Sequence, residues 1–298
     1  MTQKIPFIKM SGAGNDFIIF DARHQEINLS TSQITHLSSR KNIGCDQLII
    51  IKNSTKADCL MEIYNSDASL SGACGNATRC VASILMNLTV SPSGKSDISR
   101  DKVTIETTAG ILECWRTTNS ENNSDENLIS VNMGIPNFDW QKIPLAYEIN
   151  SQKISLYNFD FACVNVGNPH AVTFINQPLS DEDFFDLGPK IELNKIFPQK
   201  TNVEFAQILS DNLIEVRVWE RGAGETLACG TGACGVGILA IKNNLINSKK
   251  VTIRFKGGDL IIEWLNEAHQ DNSKVIMTGN YKVIFSGIID QITNTKDT

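Results

Sequence analysis

Two cysteines stand in the same local setting, in Ala73-Cys74-Gly75-Asn76 and in Ala228-Cys229-Gly230-Thr231. Each leads into a stretch that reads as a helix, from Ala77 in the first case and from Thr231 in the second. A cysteine there meets the unsatisfied N–H groups and positive dipole end of the helix, which are expected to lower its pKa and raise its thiolate population. The same N–H groups, with a glycine alongside to admit a ligand, form a cradle for a carboxylate. One carboxylate held by two such helix starts would have a sulfur on each side. Inverting an α-carbon needs that arrangement: a base takes the proton from one face, an acid returns one to the other, and donors around the carboxylate stabilise the carbanion-like state between. The reaction has to run both ways, so the two groups should be chemically equivalent. A thiolate and a thiol satisfy that symmetry.

The likeness extends outward from the cysteines. At the offset that separates them, 155 residues (229 minus 74), Asn65 falls on Glu220 and Gln47 on Asn202. Gly14-Asn15 falls on Gly167-Asn168 at nearly the same spacing, and Val103-Thr104-Ile105 with Gly110 mirrors Val251-Thr252-Ile253 with Gly258. Matches kept in one order indicate an internal duplication. The matched offsets also mark Asn15, Gln47 and Asn202 as candidate substrate contacts rather than plain turn residues.

Each half reads alike. A strand, Cys59 to Tyr64 or Ile214 to Trp219, delivers a polar residue at its end, and nine residues later come the cysteine and its helix. The first helix carries Cys80, Val81, Ile84, Leu85 and Leu88 as one apolar stripe. The second is built of Gly, Ala, Val, Ile and Leu nearly all round, which suits a helix buried on every side. Short β-branched or aromatic runs, such as Val103 to Thr107, Ile111 to Arg116, Val251 to Phe255 and Lys282 to Phe285, read as strands. The expected fold class is α+β: two pseudo-symmetric halves, each a mostly antiparallel β-sheet or barrel wrapped around a central helix, with the active site in the cleft between them. The polar stretch Thr117 to Asn127 is the expected link, giving halves 1–127 and 128–280. Ser91 to Asp101 reads as a second polar loop, and the tail after Ile292 as disordered.

Composition narrows the classes. A chain of 298 residues, 41% hydrophobic and 20% charged, fits one large globular domain or two ordinary ones. Its longest apolar stretches, Phe17 to Phe20 and Leu48 to Ile51, fall far short of the roughly 18 residues a bilayer span requires, so no membrane role is expected. Lys4, Pro6 and Lys9 precede no apolar signal core, and a cytoplasmic location is expected. A net charge of −6 with no basic run argues against nucleic acid as a partner. The eight cysteines form no C-x-x-C pair and the histidines number four, a pattern of reduced thiols without zinc spacings. The glycines from Arg221 to Gly235 lack the lysine that a phosphate loop needs. A thiol redox sensor or metal-binding protein is the competing class, and the duplication with its two carboxylate cradles counts against it.

Four segments carry a resemblance to a known family. Lys9-Met10-Ser11-Gly12-Ala13-Gly14-Asn15-Asp16-Phe17, Asn65-Ser66-Asp67 followed by Cys74-Gly75-Asn76, Gly167-Asn168-Pro169-His170, and the run from Glu220-Arg221-Gly222 to Cys229-Gly230-Thr231-Gly232-Ala233-Cys234 resemble the signatures of the diaminopimelate epimerases. The resemblance implies interconversion of LL- and meso-2,6-diaminopimelate, on the route to lysine and peptidoglycan, with no cofactor, neither pyridoxal phosphate nor metal. It gives Cys74 and Cys229 the acid/base roles and Gly75, Asn76, Gly230 and Thr231 the reacting carboxylate. Asn15, Gln47, Asn65, Asn168, Asn202, Glu220 and Arg221 would line the rest of the substrate site. His170 and Glu220 would tune the cysteines, and Arg221 would grip the distal carboxylate of this diamino dicarboxylic acid. The family also implies a final strand, at about residues 281–292, that returns to the first half, and often a homodimer. A racemase for another amino acid on the same scaffold is the alternative.

Overall fold

The computed structural model describes residues 4–72, 74–87, 100–117, 127–265 and 272–290. Leu88, most of the Ser91–Asp101 loop, residues 118–126 of the expected link and the tail after Ile292 lie outside them. The described chain forms two compact units, one of residues 1–131 with 280–298 and one of residues 132–279.

The first unit runs β1 (Lys4–Gly12), β2 (Asn15–Asp21), α1 (Thr31–Ser38), β3 (Gln47–Lys52), β4 (Cys59–Asn65), β5 (Leu70–Ser71), α2 (Gly75–Asn87), β6 (Lys102–Thr107), β7 (Gly110–Thr117) and β8 (Leu128–Asn132). Neighbouring strands pair antiparallel, except that β2 runs parallel to β3 and β4 parallel to β6. Helix α2 touches β1 and β2 at one end of this run and β6 and β7 at the other, so the sheet curls around it.

The second unit repeats the sequence of elements with β9 (Ile154–Leu156), β10 (Phe159–Asn165), β11 (Pro169–Phe174), α3 (Asp181–Glu192), β12 (Asn202–Ser210), β13 (Leu213–Glu220), β14 (Gly224–Glu225), α4 (Gly230–Lys242), β15 (Lys250–Phe255), β16 (Gly258–Trp264) and β17 (Val275–Asn280). Again two parallel joints interrupt an antiparallel order, β11 with β12 and β13 with β15. Helix α4 touches β10, β11, β12, β15 and β16. The last strand, β18 (Lys282–Asp290), belongs to the first unit and pairs antiparallel with β1 over most of its length.

Strands β2 and β3 are covered on both faces, which explains their uninterrupted apolar runs. Ile18, Phe20, Leu48 and Ile50 pack with Ile34 and Leu37 of α1. Side chains alternate along a strand, so Phe17, Ile19 and Ile49 face the other way, onto the side that carries α2. In the second unit Ala171, Val203 and Phe205 pack with Phe184 and Ile191 of α3, which turns His170, Asn202 and Glu204 toward α4. The α+β class read from the sequence is the fold observed.

Both central helices begin earlier than their apolar periodicity suggests, at Gly75 and Gly230 rather than Ala77 and Thr231. Glycine is a poor helix former, but it lets α4 lie close against the sheet. A Cβ on Gly237 would sit 2.9 Å from Cγ2 of Ile262. Among the described residues no helix is long and apolar enough to cross a membrane.

Candidate active site

In each unit the parallel joint sets the start of one strand beside the start of the next, and the antiparallel partner brings the end of a third to the same edge. In the first unit these are Asn15, Gln47 and Asn65. Gln47 and Asn65 are paired in the ladder, and the Gln47 amide donates to Asn65 Oδ1 at 3.0 Å. Asn65 in turn donates to the Ser69 hydroxyl at 3.0 Å. Asn15 accepts from the Asn76 amide at 2.6 Å, which joins this edge to the first turn of α2. Cys74 lies immediately before that turn, and its carbonyl accepts from both the N–H and the hydroxyl of Thr78 at 2.9 Å. Asn76 is 2% exposed and is held from behind by Arg79, which donates to its Oδ1 at 2.9 Å. Arg79 is itself fully buried and also donates to the carbonyls of Gly75 and Asn280.

A charged lattice fixes the loops behind this edge. Lys9 is buried, donates to the Gly44 carbonyl and pairs with Asp16 at 2.5 Å. Arg40 grips both oxygens of Asp16 at 2.6 and 2.7 Å and reaches Asp46 at 2.6 Å. Burial alone would raise the Asp16 carboxyl, but the hydrogen bonds from Arg40 and Lys9 outweigh it and hold Asp16 well below the usual carboxylate range. Asp16 follows Asn15 and Asp46 precedes Gln47, so the lattice fixes the backbone of two candidate contacts.

In the second unit the same edge presents Asn168, Asn202 and Glu220. Asn202 is 2% exposed, donates to the Pro169 carbonyl at 2.8 Å and accepts the Arg221 N–H at 2.9 Å. Arg221 is exposed, and its guanidinium meets the Gln199 carbonyl at 3.4 Å. The turn that carries it is held by the buried Glu192, which accepts from the Gly222 N–H and the Trp219 indole at 2.9 and 2.8 Å. Glu220 is half-buried, accepts from the Thr226 hydroxyl at 2.5 Å and hydrogen-bonds the Cys229 thiol. Cys229 caps α4: its sulfur accepts the Gly232 N–H at 3.4 Å and lies 3.4 Å from the Thr231 hydroxyl.

The helix start does not lower the pKa of Cys229 as the sequence suggests. Burial pushes the thiol well above its ordinary value, and the Glu220 and Glu204 carboxylates push it further the same way. The Thr231 hydroxyl and the Gly232 N–H pull it back without winning. Burial also raises the Glu220 carboxyl, against the hydrogen bonds from Thr226 and Cys229. In this arrangement Cys229 is a protonated acid. The remaining cysteines, Cys45, Cys59, Cys80, Cys114, Cys163 and Cys234, are buried and form no disulfide.

The structure therefore joins Asn15 to Asn76, Gln47 to Asn65, Asn168 to His170, and Glu220 to Cys229 by direct hydrogen bonds. Sequence reasoning missed Asp16, Arg40, Arg79, Glu192, Glu204 and Thr226. Asp16 and Thr226 fall inside the segments that carry the family resemblance, and Glu204 shows as an acid within the apolar run Val203 to Ala206.

The fold recurs among solved structures. A phenazine biosynthesis protein of the PhzF family from Bacillus anthracis matches with a TM-score of 0.66 at 13% identity, over 96% of this chain and 99% of that one. A hydroxyproline epimerase from Agrobacterium vitis matches with a TM-score of 0.64 at 12% identity, over 97% and 93%. Sequence then selects a family within this fold. The diaminopimelate epimerase family model matches residues 7–138 and 162–284. The diaminopimelate epimerase of Pelagibacter ubique is 42% identical over 266 residues, which cover 87% of this chain and 90% of that one. The chain belongs to the diaminopimelate epimerase family and is an isomerase of amino acids.

Proposed function

We propose that this chain interconverts LL- and meso-2,6-diaminopimelate by proton transfer between two thiols, with no cofactor. The observation that carries the reading is the duplication itself: each unit ends one strand, β4 or β13, in a polar side chain and starts its central helix directly after a cysteine. Cys74 and Cys229 are the two acid/base groups, one taking the α-proton and the other returning a proton to the opposite face. The N–H groups of Gly75, Asn76, Gly230 and Thr231 take the reacting carboxylate, where the helix dipoles favour the charge that builds up in the transition state. Asn15, Gln47, Asn65, Asn168 and Asn202 present amide groups to the substrate. Glu220 accepts from the distal ammonium and receives the Cys229 proton in its hydrogen bond. Arg221 has an exposed guanidinium that exchanges its 3.4 Å contact with the Gln199 carbonyl for a bidentate grip on the distal carboxylate.

The state of Cys229 supports this assignment, because a thiol held protonated by burial and two carboxylates is ready to donate. When the substrate carbanion-like centre takes that proton, the Gly232 N–H already aimed at the sulfur stabilises the thiolate left behind. Incubation with LL-diaminopimelate in deuterated water should wash deuterium into the α-position. Changing Cys74→Ser or Cys229→Ser should slow the exchange by about 100-fold or more, the contribution expected of general acid/base catalysis. Activity that survives both single changes would refute the two-thiol mechanism, and a different amino acid exchanging in preference would refute the substrate.

A further inference from the structure

The two units differ beneath their helix starts, and the difference singles out a residue not yet given a role. In the parallel joints Phe17 pairs with Gln47 and His170 with Asn202, so Phe17 and His170 hold equivalent places. Ile49 and Glu204 follow two residues on, and Ala77 and Gly232 stand three residues after their cysteines. The first unit fills this space with Phe17, Ile49 and Ala77, all fully or nearly fully buried and apolar. The second fills it with His170, Glu204 and Gly232.

Glu204 and His170 are each wholly buried, with Glu204 Oε1 2.7 Å from His170 Nδ1. The other carboxylate oxygen, Oε2, is buried with no hydrogen-bond partner among the described residues. A Cβ on Gly232 would lie 2.8 Å from Glu204 Oε1 and 3.4 Å from Cys229 Sγ. The carboxylate thus occupies the room that the methyl of Ala77 takes in the first unit, against the same turn that carries the thiol. A buried carboxylate with a bare oxygen is costly, and the first unit demonstrates that an aliphatic side chain fills the position. The cost therefore calls for a function.

The histidine supplies one. Its Nδ1 faces a carboxylate and its Nε2 lies 2.9 Å from Asn168 Oδ1. A ring with an acceptor on each nitrogen donates from both, and an imidazole that donates twice is the cation. We propose, resting on the two-thiol reading, that Glu204 is a positioning residue for proton transfer at Cys229: its buried carboxylate holds His170 as a cation against Asn168 and sets the charge beneath the thiol. The other titratable groups facing this pair are Cys163 on β10, Glu220 on β13 and Cys229 on α4. Cys163 is pushed up by burial first and then by Glu204, and stays a thiol. Glu204 is thus the carboxylate with the histidine directly in hand, while Glu220 holds the sulfur.

Nitrogen-15 NMR of the histidine rings, with His170 assigned by comparison with His170→Asn, tests this in the intact protein. The parent should show both His170 ring nitrogens protonated at neutral pH, and Glu204→Gln should show a neutral ring in one tautomer. The same variant should lose about tenfold or more in kcat, within the range of a general acid/base effect, with KM nearly unchanged; Glu204→Asp should recover part of the cation signal. A neutral ring in the parent, or an unchanged kcat in Glu204→Gln, overturns the proposal, and if that variant does not fold the parent spectrum decides alone. Activity surviving Cys229→Ser would instead overturn the two-thiol reading. A neutral ring beside an inactive Cys229→Ser overturns the role of Glu204 alone.

Discussion

In the first unit the buried charge beside the helix start is Arg79, which donates to Asn76, Gly75 and Asn280. Its counterpart at the same offset in the second unit is Cys234, a buried thiol, and the buried charge there is the acid Glu204. One duplicated scaffold thus sets an arginine beside one helix start and a carboxylate paired with a histidine beside the other. The comparison teaches that a duplicated fold conserves the direction of its N–H groups while leaving the local field free to differ. Equivalent positions need not be equivalent in charge.

The largest expected effect comes from removing the cation. Arg79→Met leaves the Gly75 and Asn280 carbonyls and the Asn76 amide without their donor, and should destabilise the chain by about 3 kcal/mol in urea unfolding, the scale of buried acceptors that lose a charged donor. If the cost is below about 1 kcal/mol, the network is not holding the first helix start.

Next come the small residues at the two turns. Gly232→Ala drives a methyl into the Glu204 carboxylate and should cost about 2 kcal/mol, as overpacking does. The reverse change in the other half, Ala77→Gly, should cost about 1 kcal/mol through helix propensity. Equal losses in thermal unfolding would erase the asymmetry.

The smallest effects separate two acids by pH. Asp16 is held below its unfolded value, so it contributes stability that is present above the ordinary carboxylate range and lost as pH falls through its folded value. Asp16→Asn should therefore cost about 1.5 kcal/mol at neutral pH, the scale of a charged hydrogen bond, and converge with the parent in strong acid. Glu220 is raised on folding, which has the opposite sign: its folded state favours the proton, so its contribution falls as pH rises from the unfolded value through the folded one. Glu220→Gln should leave stability at neutral pH equal to the parent or slightly higher, while racemisation drops. Unfolding midpoints measured across pH check both signs, and a Glu220→Gln variant that is less stable at neutral pH would show that the carboxylate is not held against its burial.

Much of this arrangement was legible in the sequence because duplication turns single residues into pairs. Gln47 with Asn202, Asn65 with Glu220 and Cys74 with Cys229 sit at one offset; the ladders place the first two pairs at matching strand ends, and the cysteines directly precede the two central helices. What stayed hidden depends on the face a side chain takes. Glu204 breaks an apolar run, yet only the alternation along β12 turns it toward α4 rather than α3. Arg79 reads as an exposed helix arginine until the sheet closes over it. Asp16, Arg40 and Asp46 are ordinary surface charges in sequence, and their proximity comes from the loop after α1. The helix boundaries slipped by one or two residues because the glycines that allow close approach also obscure the periodicity. The direction of the Cys229 shift was misread because a helix dipole is a local property, whereas desolvation and two acids from other strands are set by tertiary packing.

The pairing of β18 with β1, from Lys4↔Asp290 to Ser11↔Lys282, has a consequence for how the chain is made. The whole second unit is synthesised between these two strands, so it can mature while the first still waits for its closing edge. Until then β1 offers bare hydrogen-bonding groups and the apolar side chains of Ile5 and Phe7, a surface open to wrong pairing. The first unit is thus begun early and finished late, and its closure joins strands far apart in sequence, the kind of pairing that forms slowly.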